Sequence, residues 1–444
     1  MRSLAWELLN QWERKKAYSE TLLDRAFKRK KGLSHLDKAF TAELFYGTLR
    51  YLNQLDYIID CFSKVNPKRI KVEVRNLLRL GIYQILYLRV PDAVAVYETV
   101  ELAKGRFPIW IVNFLNALLR KVVREKENIK FPKDDLVTYL SLRYAYPDWL
   151  IRMWLKTFGK EDTIRLCKIN NTPSPIVVRT NTLKTTREDL KRYLALEGIM
   201  SEPTRFSPDG LILRGVKKSP LETTAYKKGY FFMQSEASQL IGYLLDPRPG
   251  EKILDGCAGV GGKATHLAQI MKNRGEIYAI ESKEGRFRLL NKNLNKLGIK
   301  NVFPKLGDLR DVIKSFSHRY FDRILIDAPC SSLGALRKNV DIKWRHSKED
   351  ISRLRRLQEI LLEEVVPYLR QKGVLLYTTC TFTAEENEEL IETFLKRHPD
   401  FSLENLANLY PNYKSLCTPK GYLKTLPHVH DLDGFFAARL SLDD

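Results

Sequence analysis

Apolar residues recur through the first 130 positions at the 3.6-residue period of a helix. Val74, Leu77, Leu78, Ile82, Ile85 and Leu86 share one such face, and Ile111, Leu115, Leu118 and Val122 share another. Between them Val90-Pro91-Asp92 interrupts the pattern, because proline cannot continue a helix and disfavours the helical conformation in the residue before it. Residues 1–130 are therefore expected to form an all-α bundle. The charged segment 125–135, which carries Pro132 and has no apolar period, reads as a linker.

Residues 136–233 are mixed. Helical periodicity around 146–167 and 187–197 accompanies strand-like runs at 176–179 and 211–213, which predicts a small α+β module. After Gln234 short β-rich runs at 252–254, 277–280, 302–304, 323–326 and 374–378 alternate with amphipathic helices. That alternation predicts, for 234–444, a parallel sheet wound with helices on both faces. The run 433–440 is expected to be a last strand closing the sheet. Ligands in such folds bind at the carboxyl ends of the strands, so candidate chemistry is sought there.

Composition narrows the class of protein. A chain of 444 residues accommodates two or three domains, and 44% apolar with 29% charged residues is a globular rather than a disordered balance. No apolar run approaches the ~18 residues that span a bilayer, and residues 1–10 lack the apolar core of a signal peptide, so a cytoplasmic location is expected with no membrane partner. Six cysteines without a CxxC pair predict free thiols and no metal. The net charge of +22 points to a polyanionic partner. Residues 1–130 hold 25 basic and 14 acidic side chains, or +11, so half of the excess sits in the helical part.

The run 252–254 leads into Asp255-Gly256-Cys257-Ala258-Gly259-Val260-Gly261-Gly262-Lys263, with a helix expected from Ala264. Glycines let a backbone turn tightly and approach a ligand, and a helix N-terminus favours an anionic group. The next strand ends in Glu281, where a carboxylate can bind ribose hydroxyls, and the third is followed by Asp308, placed to reach the adenine side. Either acid also suits a helix cap. A dinucleotide and S-adenosylmethionine both fit the pattern.

Two further strands run into Asp327-Ala328-Pro329-Cys330-Ser331-Ser332 and Thr378-Thr379-Cys380-Thr381-Phe382. Two cysteines thus stand past two strand ends on one sheet edge. Cytosine C5 is a poor nucleophile, but a thiolate added at C6 makes it an enamine carbon able to attack a methyl group. Such a thiol needs a lowered pKa, and Arg337, Lys338 and Lys343 are candidate charges. Asp327 is the carboxyl group nearest in sequence to assist at N3, and either cysteine could serve as nucleophile or base.

With Asp327-Ala328-Pro329-Cys330 and Thr379-Cys380 together, the C-terminal half resembles the cytosine-C5 RNA methyltransferases of the Sun (Fmu) and NOL/NOP2 superfamily. The resemblance implies a Rossmann-like class I methyltransferase domain with a parallel-rich seven-stranded sheet, Cys380 as nucleophile and Cys330 as the group assisting proton removal and release. It also implies Asp327 beside the cytosine, and an S-adenosylmethionine site lined by Cys257, Ala258, Gly259, Val260, Gly261, Gly262, Lys263, Glu281, Asp308 and Asp327. Residues 75–84, 100–104 and 112–120 resemble the antitermination factor NusB, which implies 16S rRNA, free or in an assembling small subunit, as the partner. Two departures stand out: Gly259-Val260 where the family often has Ala-Pro before the glycine pair, and Glu281 where Asp is common.

Competing readings are a non-catalytic RNA-binding or antitermination factor, an NAD oxidoreductase, and methylation of transfer RNA or large-subunit rRNA. The basic stretch 336–344, ending in Trp344, is expected to contact RNA phosphates and stack on a base.

Overall fold

The helix Val72–Tyr87 is buried along nearly its whole length, and the helices Arg2–Lys15, His35–Arg50, Asp92–Ala103 and Ile109–Glu125 pack around it. Its predicted apolar stripe is therefore only part of its buried surface. Polar residues on the remaining faces find internal partners: Arg79 donates to both carboxylate oxygens of Asp56 (2.7 and 2.6 Å) and to Glu13 (2.7 Å). Asn76 donates to Asn10 at 2.9 Å. A buried arginine is tolerable in such a core because its fork is matched by carboxylates.

Helix boundaries follow the local chemistry. Ser34 and Asp37 form a reciprocal capping box for His35–Arg50, and Asp135 accepts from the Thr138 amide at 2.8 Å to start Leu136–Tyr144. Val72–Tyr87 stops before Pro91, where the sequence predicts a break, and a further helix begins at Asp92.

This computed structural model describes residues 1–15, 17–30, 32–63, 65–66 and 69–443. The chain divides into two compact units: Met1–Pro173 with Leu336–Arg345, and Ser174–Ala335 with His346–Asp444. The helices Leu136–Tyr144 and Asp148–Asn170 belong to the first unit and not to the sheet module that follows them in sequence. Among the described residues no helix is long and apolar enough to cross a membrane.

The segment Leu336–Arg345 is also built into the first unit. Val340 lies in its core, and Asp341 accepts from the Ser19 amide (3.2 Å), the Ser19 hydroxyl (2.6 Å) and the Trp12 indole (3.4 Å). The Lys343 ammonium is buried, donating to the carbonyls of Arg50 (2.8 Å) and Ala145 (2.6 Å), while the Trp344 indole donates to Leu49 O at 2.6 Å. The expectation of an RNA-contacting loop at 336–344 is corrected here. Spacing of charges cannot distinguish a solvated basic loop from one whose lysine and tryptophan cap carbonyls inside a helical core.

The second unit holds two sheets. The smaller is antiparallel and comprises β1 (Ile176–Thr180), β2 (Met200–Pro203), β3 (Gly210–Arg214) and β4 (Phe231–Met233), in the order β2-β3-β1-β4. The larger comprises β5 (Lys252–Asp255), β6 (Glu276–Glu281), β7 (Val302–Leu306), β8 (Phe321–Asp327), β9 (Leu369–Thr379), β10 (Phe401–Leu403), β11 (Leu423–Thr425) and β12 (Phe435–Leu442). Seven of these run in the order β10-β12-β9-β8-β5-β6-β7, and β11 adds an eighth by pairing with β12. Strands β7, β6, β5, β8 and β9 are parallel, whereas β12 is antiparallel to β9. The last strand therefore lies inside the sheet, with β10 as the edge beyond it. Chain order reverses between β5 and β8, the switch point where a ligand cleft opens at the strand ends.

Candidate active site

Asp255 ends β5, Glu281 ends β6, Asp327 ends β8 and Cys380 follows β9, so the strand ends bring most of the predicted residues to one edge. Cys330 lies three residues past β8. Its sulfur is 3.4 Å from that of Cys380, and both side chains are half-buried. Ser332, held at a left-handed φ of 56°, places its hydroxyl 3.3 Å from Cys380 Sγ and 3.9 Å from Cys330 Sγ. A non-glycine residue in that conformation is strained, and here the strain carries a hydroxyl to the thiol pair.

The two thiols differ in acidity. The hydrogen bond with Cys330, followed by that with Ser332, lowers the pKa of Cys380 against the opposing effect of burial; Asp327 also raises it, and Lys263 lowers it by less. Cys330 is pushed well up, first by that same hydrogen bond and then by burial. Of the pair, Cys380 is therefore the more acidic thiol and Cys330 the less acidic.

The loop carrying Cys330 is fixed from below by Glu386, a fully buried residue six positions past Cys380. Its carboxylate accepts from the Ser331 amide (2.8 Å), the Ser331 hydroxyl (2.5 Å), the Thr383 hydroxyl (2.8 Å) and the Gln358 amide (3.0 Å). Gly334 and Gly434 lie back to back: the Gly334 amide donates to Cys380 O at 3.0 Å, and the Gly434 amide to Gly334 O at 2.8 Å. A Cβ on Gly334 would stand 1.9 Å from Gly434 O, so only glycine allows this approach.

The glycine-rich loop runs from β5 into the helix Gly262–Ile270. Gly259 (φ 59°) and Gly261 (φ 87°) adopt left-handed conformations, and the Ala258 amide donates to Ile280 O at 2.8 Å, tying the loop to β6. The Asn293 amide donates to Val260 O at 2.9 Å. Lys263 projects from the helix's first turn to Asp327, 2.5 Å away. Cys257 is packed at the loop's base; burial raises its pKa well above the ordinary thiol value, and the carboxylates of Asp255, Asp327, Glu281 and Asp308 add to the effect. Four acids therefore surround the loop.

Glu281 accepts from the Lys283 amide at 2.6 Å. Asp308 caps the short helix after β7, accepting from the Arg310 amide (3.0 Å) and, through both oxygens, from the Arg310 guanidinium (2.8 and 2.7 Å), which lowers its pKa. Asp308 thus makes the cap contact that its sequence position also allowed.

Two corrections concern charge. Lys343 does not supply the cation for the thiols, since it is buried in the first unit, and Arg337 donates there to Pro173 O at 3.1 Å. Lys263 is the cation that acts on Cys380, and its effect is smaller than the opposing one of Asp327, with which it is paired. The sequence pattern gives no role to Asp255, Ser332 or Glu386. Asp255 was marked only by its place at a strand end before glycine, and nothing in the sequence singles out Glu386 among neighbouring acids. Asp255 is fully buried, neither oxygen makes a hydrogen bond of ordinary geometry, and burial together with Asp327 pushes its pKa up to about 7.

Comparison with known proteins places this geometry. A family model described as 16S rRNA methyltransferase RsmB/F matches residues 242–441, and the NusB family matches residues 1–124. A ferredoxin-like domain of RsmF/B-like methyltransferases matches residues 146–218. A protein of Bacillus subtilis described as probable ribosomal RNA small subunit methyltransferase B is 34% identical over 438 residues, covering 98% of this chain and 97% of its own. The chain belongs to the RsmB family. The crystal structure of PH0851 superposes with a TM-score of 0.84 at 29% identity, covering 99% of this chain and 98% of that one. NSun6 from Pyrococcus horikoshii with SFG superposes with a TM-score of 0.60 at 25% identity, covering 69% of this chain and 100% of that one. In this RsmB-family chain the paired thiols and the glycine-rich loop both lie within the methyltransferase match, and the buried helix Val72–Tyr87 lies within the NusB match.

Proposed function

We propose that the protein transfers the methyl group of S-adenosylmethionine to C5 of a cytosine in 16S rRNA, through a covalent bond between Cys380 and C6. The observation that carries this reading is the thiol pair: two sulfurs 3.4 Å apart at neighbouring strand ends, with acidity divided in favour of Cys380. Hydride transfer to or from NAD has no use for that pair. Four acids around the glycine-rich loop also suit a sulfonium and an ammonium group and oppose a pyrophosphate. The SFG-bound relative, which carries an analogue of S-adenosylmethionine, supports the same cofactor.

Cys257 to Lys263, Glu281, Asp308 and Asp327 would hold S-adenosylmethionine, which would supply the electrophilic methyl group. Cys380 attacks C6 as the thiolate, and the Lys263–Asp327 pair delivers a proton toward N3 as electron density moves into the ring. Once Cys380 is a thioether it no longer engages the Cys330 thiol or repels its ionisation. The largest cause of the raised Cys330 pKa is thereby removed. Cys330 then loses its proton to solvent and takes the C5 proton, N3 returns its proton to the Lys263–Asp327 pair, and the C6–S bond breaks to return Cys380 as thiolate. Formation of the adduct thereby favours ionisation of the base that ends it, against burial and Glu386, which still raise its pKa.

The division of labour we assign is RNA gripping to residues 1–130, with support from 136–233, and chemistry to 234–444. The +11 charge of residues 1–130 supports the first assignment. Incubating the protein with tritiated S-adenosylmethionine and unmodified 16S rRNA or small subunits tests the reading: label is expected in 5-methylcytidine. Label in another nucleoside, or none in either substrate, overturns it.

A further inference from the structure

Arg179 is fully buried on β1 and makes no ion pair among the described residues. Its guanidinium donates to Gly262 O (2.7 Å), to Thr265 Oγ1 (2.9 Å) and to Gln234, lies 5.5 Å from the Phe232 ring centre, and leaves Nε unpartnered. The nearby carboxylate, Asp209, is occupied by the Tyr243 hydroxyl at 2.5 Å and stands 3.6 Å from His266. Asp209 attracts the guanidinium through space, but no carboxylate is hydrogen-bonded to it, and a buried guanidinium held by neutral acceptors gains further wherever a ligand brings negative charge.

The contacts of Arg179 lie in the first turn of the helix that leaves the glycine-rich loop. Thr265, to which Arg179 donates, in turn donates to Gly261 O at 2.7 Å. The carbonyls of Gly261 and Gly262 are thus both engaged through Arg179, directly or by one relay. The amides of those same peptide planes point the opposite way, and first-turn amides have no intrahelical acceptor. An anion at this helix end meets oriented N–H groups backed by a full positive charge.

We infer that Arg179 is a positioning residue for the methyl donor, holding the first turn of Gly262–Ile270 in place and supplying the counter-charge for the donor's methionyl carboxylate. The inference rests on the cofactor reading above. It accounts for an arginine buried behind a loop surrounded by acids whose own lysine, Lys263, is already paired with Asp327: the carboxylate is the one anionic group of S-adenosylmethionine. Burial lowers the Arg179 pKa to about 9, which leaves it charged at neutral pH.

Calorimetric titration of the full-length protein with S-adenosylmethionine and with decarboxylated S-adenosylmethionine tests this. The wild type is expected to prefer the carboxylate-bearing compound by about tenfold or more, as a charge pair in a shielded site requires. Arg179→Met is expected to remove that preference by weakening only S-adenosylmethionine, and Arg179→Lys to retain most of it. Equal weakening of both compounds by Arg179→Met, or no change in either, overturns the inference. If Arg179→Met does not fold, a wild type that binds the two alike, or a folded Arg179→Lys that loses all preference, does the same. A wild type that binds neither compound refutes the cofactor reading instead.

Discussion

Cys330 Sγ stands 3.4 Å from Cys380 Sγ, and the hydrogen bond between them raises one pKa while lowering the other. Each is therefore a reporter on its neighbour. Replacing Cys330 by alanine removes the main cause of the lowered Cys380 pKa, and Ser332→Ala removes the second. In both variants the rate of Cys380 alkylation by iodoacetamide, followed against pH, is expected to titrate at higher pH than in the wild type. An unchanged profile in both shows that Cys380 owes its acidity to other groups.

Asp255 gives a prediction of opposite sign. Its folded pKa, about 7, lies above the ordinary aspartate value of about 3.9, so the folded state binds the extra proton. Stability contributed by this group is full below the unfolded value and is lost as pH rises through about 7. Asp255→Asn removes that loss. Urea denaturation is expected to show the variant gaining on the wild type between about pH 4 and pH 7 and holding a constant difference above that window. A difference that does not vary with pH would place the carboxylate in a solvated setting.

Much of the site is legible in the sequence because its parts sit at strand ends, and strand ends can be read from short β-rich runs followed by glycine, proline or cysteine. The loop 257–263, Glu281, Asp308, Asp327 and both thiols fall where that pattern places them. What is not legible depends on burial rather than position. Glu386 and Arg179 look like ordinary surface charges until the fold closes over them, and Ser332 matters through a left-handed φ that sequence does not encode for serine. The fold shows the same division. Periodicity finds the helices 72–87 and 109–125, but it misses β2, β4, β10 and β11, each four residues or fewer and too short to show alternation.

Trp344 tests the corrected assignment of 336–344. Its indole N–H caps Leu49 O, and its ring packs against the core of the first unit. Trp344→Ala is expected to cost about 3 kcal/mol of stability, read by chemical denaturation, with RNA affinity of the folded variant unchanged within about twofold. A loss of RNA affinity without loss of stability would restore the stacking role.

The central claim is that Cys380 attacks and Cys330 releases. The direct measurement incubates wild type, Cys380→Ala and Cys330→Ala with S-adenosylmethionine and unmodified 16S rRNA, then separates free protein from RNA-linked protein under denaturing conditions. The account predicts that Cys330→Ala accumulates as a covalent protein–RNA species carrying the transferred methyl group. Cys380→Ala is expected to form neither adduct nor product. An active Cys380→Ala enzyme, or an adduct that persists in it and is absent from Cys330→Ala, would contradict the assignment.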